Sequence, residues 1–199
     1  MSQHSMLPDS ALVESCTVRF AGTSVNALFE IDVQEHERRV AAGAGPVVER
    51  DLLETFAELP LLEHIEWTSI DPMKQALLDT APPGALATAA NTVARLWRPA
   101  LRLHAVTRTA RHWRQDLEAV SLFAPDAPRY LIVGRRPAAD HPMVAEANWL
   151  GVGIVLHDGD LVLPAERLPA SRTPRHWRLL ESVYEAWLGS AEIRSATSN

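Results

Sequence analysis

The chain has 199 residues, 47% of them hydrophobic and 22% charged, with a single cysteine and a formal net charge of −6. That composition excludes a disordered, fibrous or disulfide-stapled protein and describes a soluble globular one, able to bury roughly 70% of its unfolded surface. Cys16 has no second cysteine to pair with, so an intramolecular disulfide and a cysteine zinc site are excluded, and a reducing compartment is the simplest context.

Met1 to Ser10 carry no basic n-region and no apolar h-region, and no run approaches the ~20 apolar residues needed to span a bilayer. The expected location is therefore cytoplasmic, with no membrane partner. Of 19 basic residues only Lys74 is a lysine, a bias that fits a GC-rich bacterial genome and confines any Schiff base or catalytic ammonium to that position.

Charge is divided unevenly. Residues 1–99 carry 7 basic and 14 acidic side chains, whereas residues 100–199 carry 12 and 11. Between Asp79 and Asp116 lie 36 residues without a carboxylate, and they hold Arg95, Arg98, Arg102, Arg108, Arg111 and Arg114. The acidic total argues against a nonspecific nucleic-acid binder, but a local arginine stripe attracts a phosphate-rich partner.

In chain order, VNALFEIDV at 25–33 sets Val25, Ala27, Phe29, Ile31 and Val33 on one face at period two, the mark of a half-buried strand. The preceding CTVRF joins it through 21–24 as a hairpin. Pro46 opens a helix to about Leu59, with Pro60 as its stop. A short strand is expected over 64–70, and Asp71-Pro72 gives a cap and a first helical proline. Pro82-Pro83-Gly84 breaks that helix. A second, alanine-rich helix is expected from about Ala85 to Trp97.

Beyond Pro99 strands alternate with helices: strand 101–107, helix 110–123, strand 129–134, helix 139–149 and strand 152–157, a pattern that predicts parallel pairing under a helical cover. Asp158-Gly159 between IVLH and LVLP is a hairpin signal. The last helix starts with Thr173 as cap and Pro174 as first residue, carries Trp177, Leu180, Tyr184 and Trp187 on one stripe, and is expected to stop at Gly189. These elements predict one α/β domain over 1–189, a mixed sheet with helices on both faces, an N-terminal β-hairpin, a helical insertion over 71–98 and a flexible polar tail at 190–199.

Several candidate chemistries can be weighed. Arg95, Trp97 and Arg98, then Arg111, Trp113 and Arg114, interleave guanidinium groups with indoles, the residue types that grip phosphates and stack on bases. If 108–114 is helical, Arg108, Arg111 and Arg114 line one edge. The alternative is that Trp113 joins Leu117 and Val120 in the core and the arginines balance the acidic half. His157-Asp158-Gly159-Asp160 and Asp140-His141 look like metal ligands, but contiguous turn residues point apart, and turn and cap chemistry explain them. No Gly-x-Ser-x-Gly elbow, Walker loop or Gly-x-Gly-x-x-Gly occurs, and Gly151 and Gly153 read as a helix cap followed by a closely packed strand start. His104, in mid-strand, is a candidate polar site.

The succession LRLHAVTR, a helix to Phe123, RYLIVG and a helix ending in WLGVGIVL resembles the second half of the restriction-endonuclease-like, PD-(D/E)xK, superfamily, over residues 100–157. The resemblance implies a central sheet whose strand ends would carry an Asp and a Glu-x-Lys around a divalent metal. Here that strand offers His104, Val106 and Arg108, and no carboxylate lies within 80–115, so no catalytic residue is carried over.

The expected function is that of a degenerate, noncleaving accessory module that binds nucleic acid, or a partner in a DNA-related complex, through Arg95, Arg98, Arg102, Arg108, Arg111 and Arg114. No metal and no cofactor are expected, and the catalytic residues, if any, are unknown. One alternative is a protein-interaction subunit or homodimer: six of twelve aromatic residues are tryptophans, which favour binding hot spots. Another is an enzyme whose site assembles distant residues, for which Glu30, Asp32, Glu66, His104 and Asp140 form the inventory.

Overall fold

The computed structural model describes residues 13–169 and 172–197. The reading of Met1 to Ser10 as no leader lies outside the described residues. In chain order the elements are β1 (Glu14–Phe20), β2 (Thr23–Ile31), α1 (Val33–Ala42), α2 (Arg50–Glu58), β3 (Ile65–Glu66), α3 (Pro72–Leu78), β4 (Leu86–Ala89) and β5 (Thr92–Arg95). They continue with β6 (Leu101–Thr109), α4 (Trp113–Ser121), β7 (Arg129–Val133), α5 (Pro142–Trp149), β8 (Gly153–Leu156), β9 (Leu161–Leu163) and α6 (Pro174–Thr197). The chain is thus mixed α/β, and it divides into two compact units: Met1–Glu30 with Leu103–Ser171, and Ile31–Arg102 with Arg172–Asn199.

The first unit is built on a six-stranded mixed sheet of order β1-β2-β6-β7-β8-β9. Its first two strands form the expected antiparallel hairpin, Phe20 opposite Thr23 and Cys16 opposite Ala27. Ala21 and Gly22 both take positive φ, the geometry of a two-residue turn that follows strand twist. Period-two burial follows: Cys16, Val18, Phe20, Val25, Ala27 and Phe29 all face inward.

β6 pairs parallel with β7 and β7 parallel with β8, while β8 turns back antiparallel into β9 through Asp158-Gly159. Parallel neighbours need crossover helices. α4 and α5 supply them, with Leu117, Val120, Met143 and Ala147 buried. The start of β8 is as close-packed as its glycines imply: a Cβ on Gly153 would run into the Tyr130 ring, and one on Gly151 would stand 2.5 Å from a Glu166 oxygen.

The second unit contains an element the periodicity did not predict. Asp32 leaves the strand and caps α1, accepting from the Glu35 N–H at 3.0 Å, and Gly43 ends that helix with φ of 66°. The buried face of α1 is Glu35 and Arg39, whereas Val33 and Val40 are exposed. Arg39 donates to Glu35 at 2.9 Å, to both oxygens of Glu181 at 2.8 and 3.0 Å, and to the Arg98 carbonyl at 2.5 Å. The Val47 N–H also reaches Glu181, at 2.7 Å, and the Arg39 guanidinium lies 5.6 and 5.1 Å from the ring centres of Trp97 and Tyr184. Buried charges are tolerable only when paired and hydrogen-bonded this completely.

Of the expected helical insertion, α3 alone is helical. Asp71 caps it through the Met73 N–H, as the Asp-Pro pair predicts. The alanine-rich stretch that follows is the hairpin β4–β5, joined antiparallel to β3 in a three-stranded sheet. Thr88, Thr92 and Val93 are β-branched, and Ala90 turns the chain with φ of 50°. Pairing outweighs the intrinsic helix preference of alanine. The 64–70 strand is likewise reduced to two residues followed by a 3-10 turn at Trp67–Ser69. α6 starts at Pro174, where the Thr173 hydroxyl accepts the His176 N–H at 3.2 Å, and continues through Gly189 to Thr197 instead of stopping. Residues 198–199 of the expected tail lie outside the described residues.

Candidate functional site

The six arginines of the acid-free stretch do not form one stripe. Arg95 is buried on β5 with its guanidinium 4.9 Å from the Trp177 ring centre, and burial pulls its pKa down. Arg98 pairs with Asp32 at 3.0 Å and lies 3.5 Å from Glu35. Arg102 is exposed at the start of β6. These three belong to the second unit and the other three to the first.

Nor do Arg108, Arg111 and Arg114 share a helical edge. Arg108 is the penultimate residue of strand β6, Arg111 is in the following loop, and α4 begins only at Trp113. The cause is Asp116, whose carboxylate accepts from Arg108 at 2.6 Å and from the N–H groups of Arg111 and His112 at 2.9 and 2.8 Å, tying down the loop before the helix starts. Arg108 also donates to the Ser24 carbonyl at 2.6 Å. Arg114 lies over the Trp113 ring, 4.8 Å from its centre. Trp113 is half-buried rather than in the core with Leu117 and Val120.

His104 faces Glu30, Nε2 to Oε2 3.6 Å, outside hydrogen-bonding reach. Of the remaining inventory, Asp32 caps α1, Glu66 precedes the Trp67–Ser69 turn, and Asp140 precedes His141, which caps α5 as expected of the Asp140-His141 pair. Among the described residues no group of three or more His, Cys, Asp or Glu is placed to hold a metal ion.

The first unit does present a concave feature. A crevice of about 860 Å³ opens at the carboxyl ends of β6 and β7, lined by Arg111 and Trp113 from the loop and start of α4, by Gly134, Arg135 and Arg136 just after β7, and by His141 before α5. Ligands of open sheets with parallel strands bind at that end, where successive loops diverge. None of its eleven lining residues is an aspartate or glutamate. Among the described residues Arg111 and Arg135 have no carboxylate partner, and Arg136 has only Asp160, at 3.7 Å with both side chains exposed.

His141 adds a donor. Its Nδ1 accepts the Met143 N–H at 3.1 Å, which puts the ring proton of the neutral form on Nε2, and its ring meets Trp113 edge-on with centres 6.0 Å apart. A second crevice, about 490 Å³, also has Arg111 in its lining and is walled by Thr17, Ser24, Asn26, Thr109 and the Arg108–Asp116 pair.

No family model, no curated protein and no solved structure matches the chain.

The chemistry of the first crevice therefore has to be read from its own side chains. Three arginines and a histidine share a lining without serine, threonine, cysteine, lysine or carboxylate. Such a set holds anions by charge-assisted, bidentate hydrogen bonds but offers no activated nucleophile. Sequence reasoning identified Arg111 and missed Arg135, Arg136 and His141. The signal available was positional: Gly134-Arg135-Arg136 directly follows a strand flanked by parallel neighbours.

Proposed function

We propose that this chain is a noncatalytic accessory module that binds nucleic acid through phosphate contacts from Arg111, Arg135 and Arg136, on a scaffold of the restriction-endonuclease-like kind with helices on both faces. The observation that carries the reading is the carboxylate-free, arginine-lined crevice at the strand ends of a protein whose net charge is −6. In such a molecule a surface without acids is a local departure, and it coincides with a concavity.

The test is binding of labelled single- and double-stranded DNA and RNA at two salt concentrations, by wild type and by a variant with all three arginines changed to Ala. Weaker binding with a shallower salt slope in the variant supports phosphate contacts there. Unchanged affinity and slope rule them out.

One observation favours the protein-interaction alternative. Trp149, at the end of α5, is 86% exposed. An open indole of this kind is a hot-spot residue without its pocket. A concentration-dependent dimer in sedimentation that is lost in Trp149→Ala would favour that reading.

A further inference from the structure

Arg39, Arg95 and Arg129 are the buried arginines among the described residues. Arg39 is met by Glu35 and Glu181, and Arg129 by Glu166 at 3.4 Å. Arg95 is 9% exposed, and among the described residues its guanidinium has no carboxylate and no hydrogen-bond acceptor. Burial lowers its pKa with nothing opposing, whereas Glu166 opposes that effect at Arg129 and two glutamates outweigh it at Arg39. A buried cation is costly until an opposite charge meets it, so Arg95 points to an anion that the described residues do not supply.

The surroundings set what kind of anion fits. The guanidinium lies over the Trp177 ring, 4.9 Å from its centre, and Trp97 fixes that ring edge-on at 5.2 Å. Arg95 has Leu86 as its partner across the β4–β5 ladder and Leu61 as its partner in an isolated parallel bridge, and paired sheet residues project to the same face. The Leu62 N–H holds that bridge by donating to the Arg95 carbonyl at 2.9 Å, and Leu61 is exposed. Nε is sealed and unbonded, so the edge left to a ligand is the pair Nη1 and Nη2. Trp177 belongs to the first turn of α6, which brings no acid.

One guanidinium edge flanked by leucines and an indole matches one carboxylate. Two parallel N–H···O bonds cancel a single charge, and apolar neighbours suit an apolar body. A phosphate monoester brings about −1.5 to −2 charges on three oxygens, more than a single guanidinium edge satisfies. Stacking on a fixed indole also holds the fork in place before a ligand arrives, which lowers the cost of binding.

We infer that Arg95 is the seat of a single carboxylate carried on an apolar body, a small aromatic acid being the simplest form, beside Leu61, Leu86 and Trp177. The site lies on the second unit and does not depend on the nucleic-acid reading of the crevice.

The test is titration of the full chain with benzoate, benzamide and inorganic phosphate, followed through the indole N–H signals in heteronuclear NMR, with Trp177→Phe identifying the Trp177 signal. Benzoate is expected to shift that signal and to bind at least about tenfold more tightly than neutral benzamide, the contribution of a charge-assisted contact. Arg95→Met, which keeps an unbranched apolar stem against the indole, should abolish the preference, and Arg95→Lys, which keeps the charge but loses the fork, should reduce it.

Benzoate binding no tighter than benzamide, or no shift of the Trp177 signal with any of the three, overturns the inference. Phosphate binding as tightly as benzoate overturns the carboxylate assignment. A preference that persists undiminished in Arg95→Lys overturns the placement, and that variant decides alone if Arg95→Met fails to fold by circular dichroism.

Discussion

Arg108 Nε donates to Asp116 Oδ1 at 2.6 Å, linking the end of β6 to the first turn of α4. Asp116 is the first carboxylate after 36 residues without one, and its other oxygen takes the N–H groups of Arg111 and His112. The acid-free stretch thus ends by folding back onto its first acid. One arginine is neutralised in the process, and the loop carrying Arg111 is fixed at the crevice mouth.

This arrangement sets a pH dependence. Burial alone would push the Asp116 carboxyl up, but the Arg108 hydrogen bond and the two backbone donors outweigh it and hold the carboxyl below its ordinary value. A depressed carboxylate contributes stability above its unfolded pKa, about 3.9, and loses it as pH falls through the folded value. Asp116→Asn should therefore cost about 2 kcal/mol at neutral pH. The deficit should shrink below about pH 4 in urea melts taken at both pH values. A deficit that does not change with pH would show that the negative charge is not what matters.

The core of the second unit yields a contrast between adjacent arginines. Arg39 is 1% exposed and joins Glu35 to Glu181, while Arg38, 33% exposed, reaches Glu35 from the rim. For Glu35, burial raises the pKa and the two arginines bring it below normal; for Glu181, burial wins and the pKa is raised despite Arg39. Removing Arg39 would leave the buried Glu181 carboxyl with only the Val47 N–H and take one of its guanidinium partners from Glu35, so Arg39→Ala is expected to lose about 3–5 kcal/mol. Arg38→Ala should lose no more than about 1 kcal/mol. Denaturant unfolding of the two variants checks the order, and equal losses would contradict the role assigned to Arg39.

That same network explains where the sequence misled. Helix α1 was hidden because its inward face is charged and its valines point outward, an inversion of the periodicity by which amphipathic helices are recognised. Asp32 and Glu35 were the local signs of its start. The β4–β5 hairpin was hidden because alanine's helix preference is a local property, whereas the ladder with β3 is decided by residues far apart in sequence. The β1–β2 hairpin, the strand-helix alternation from β6 to β8 and the caps Asp71 and Thr173 were legible because turn and cap chemistry are local. The crevice was only half legible. Arg111 stood in a conspicuous run, but Arg135, Arg136 and His141 reach it through the return of β7 beside β6, which no linear spacing records.

Binding should therefore follow crevice membership rather than position in the acid-free run. Arg135→Ala with Arg136→Ala is expected to flatten the dependence of log affinity on log salt by about 0.7 per lost single-strand contact. Arg95→Ala and Arg98→Ala, which remove a ring-stacked and an ion-paired guanidinium, should leave the slope unchanged. Anisotropy titrations at three salt concentrations decide between the two patterns, and an effect confined to Arg95 and Arg98 would move the interface to the second unit.

The last prediction concerns cleavage. Nucleases speed a very slow hydrolysis largely by fixing divalent metal between carboxylates, so a scaffold without that set should fall short by many orders of magnitude rather than by a fraction. On the strand where the restriction-endonuclease-like resemblance would place those groups, this chain has His104 and Arg108, and the nearest carboxylates are Glu30, 3.6 Å from His104, and Asp116, held by Arg108 and two backbone donors. The only lysine, Lys74, is bonded to Glu58 on the other unit, and Asp71 is the cap of its helix. Purified protein is accordingly expected to leave single- and double-stranded DNA and RNA intact with magnesium or manganese. Cleavage that is abolished by EDTA and by Asp71→Asn or Lys74→Ala would place a metal-dependent active site in the 66–74 segment and overturn the noncleaving assignment.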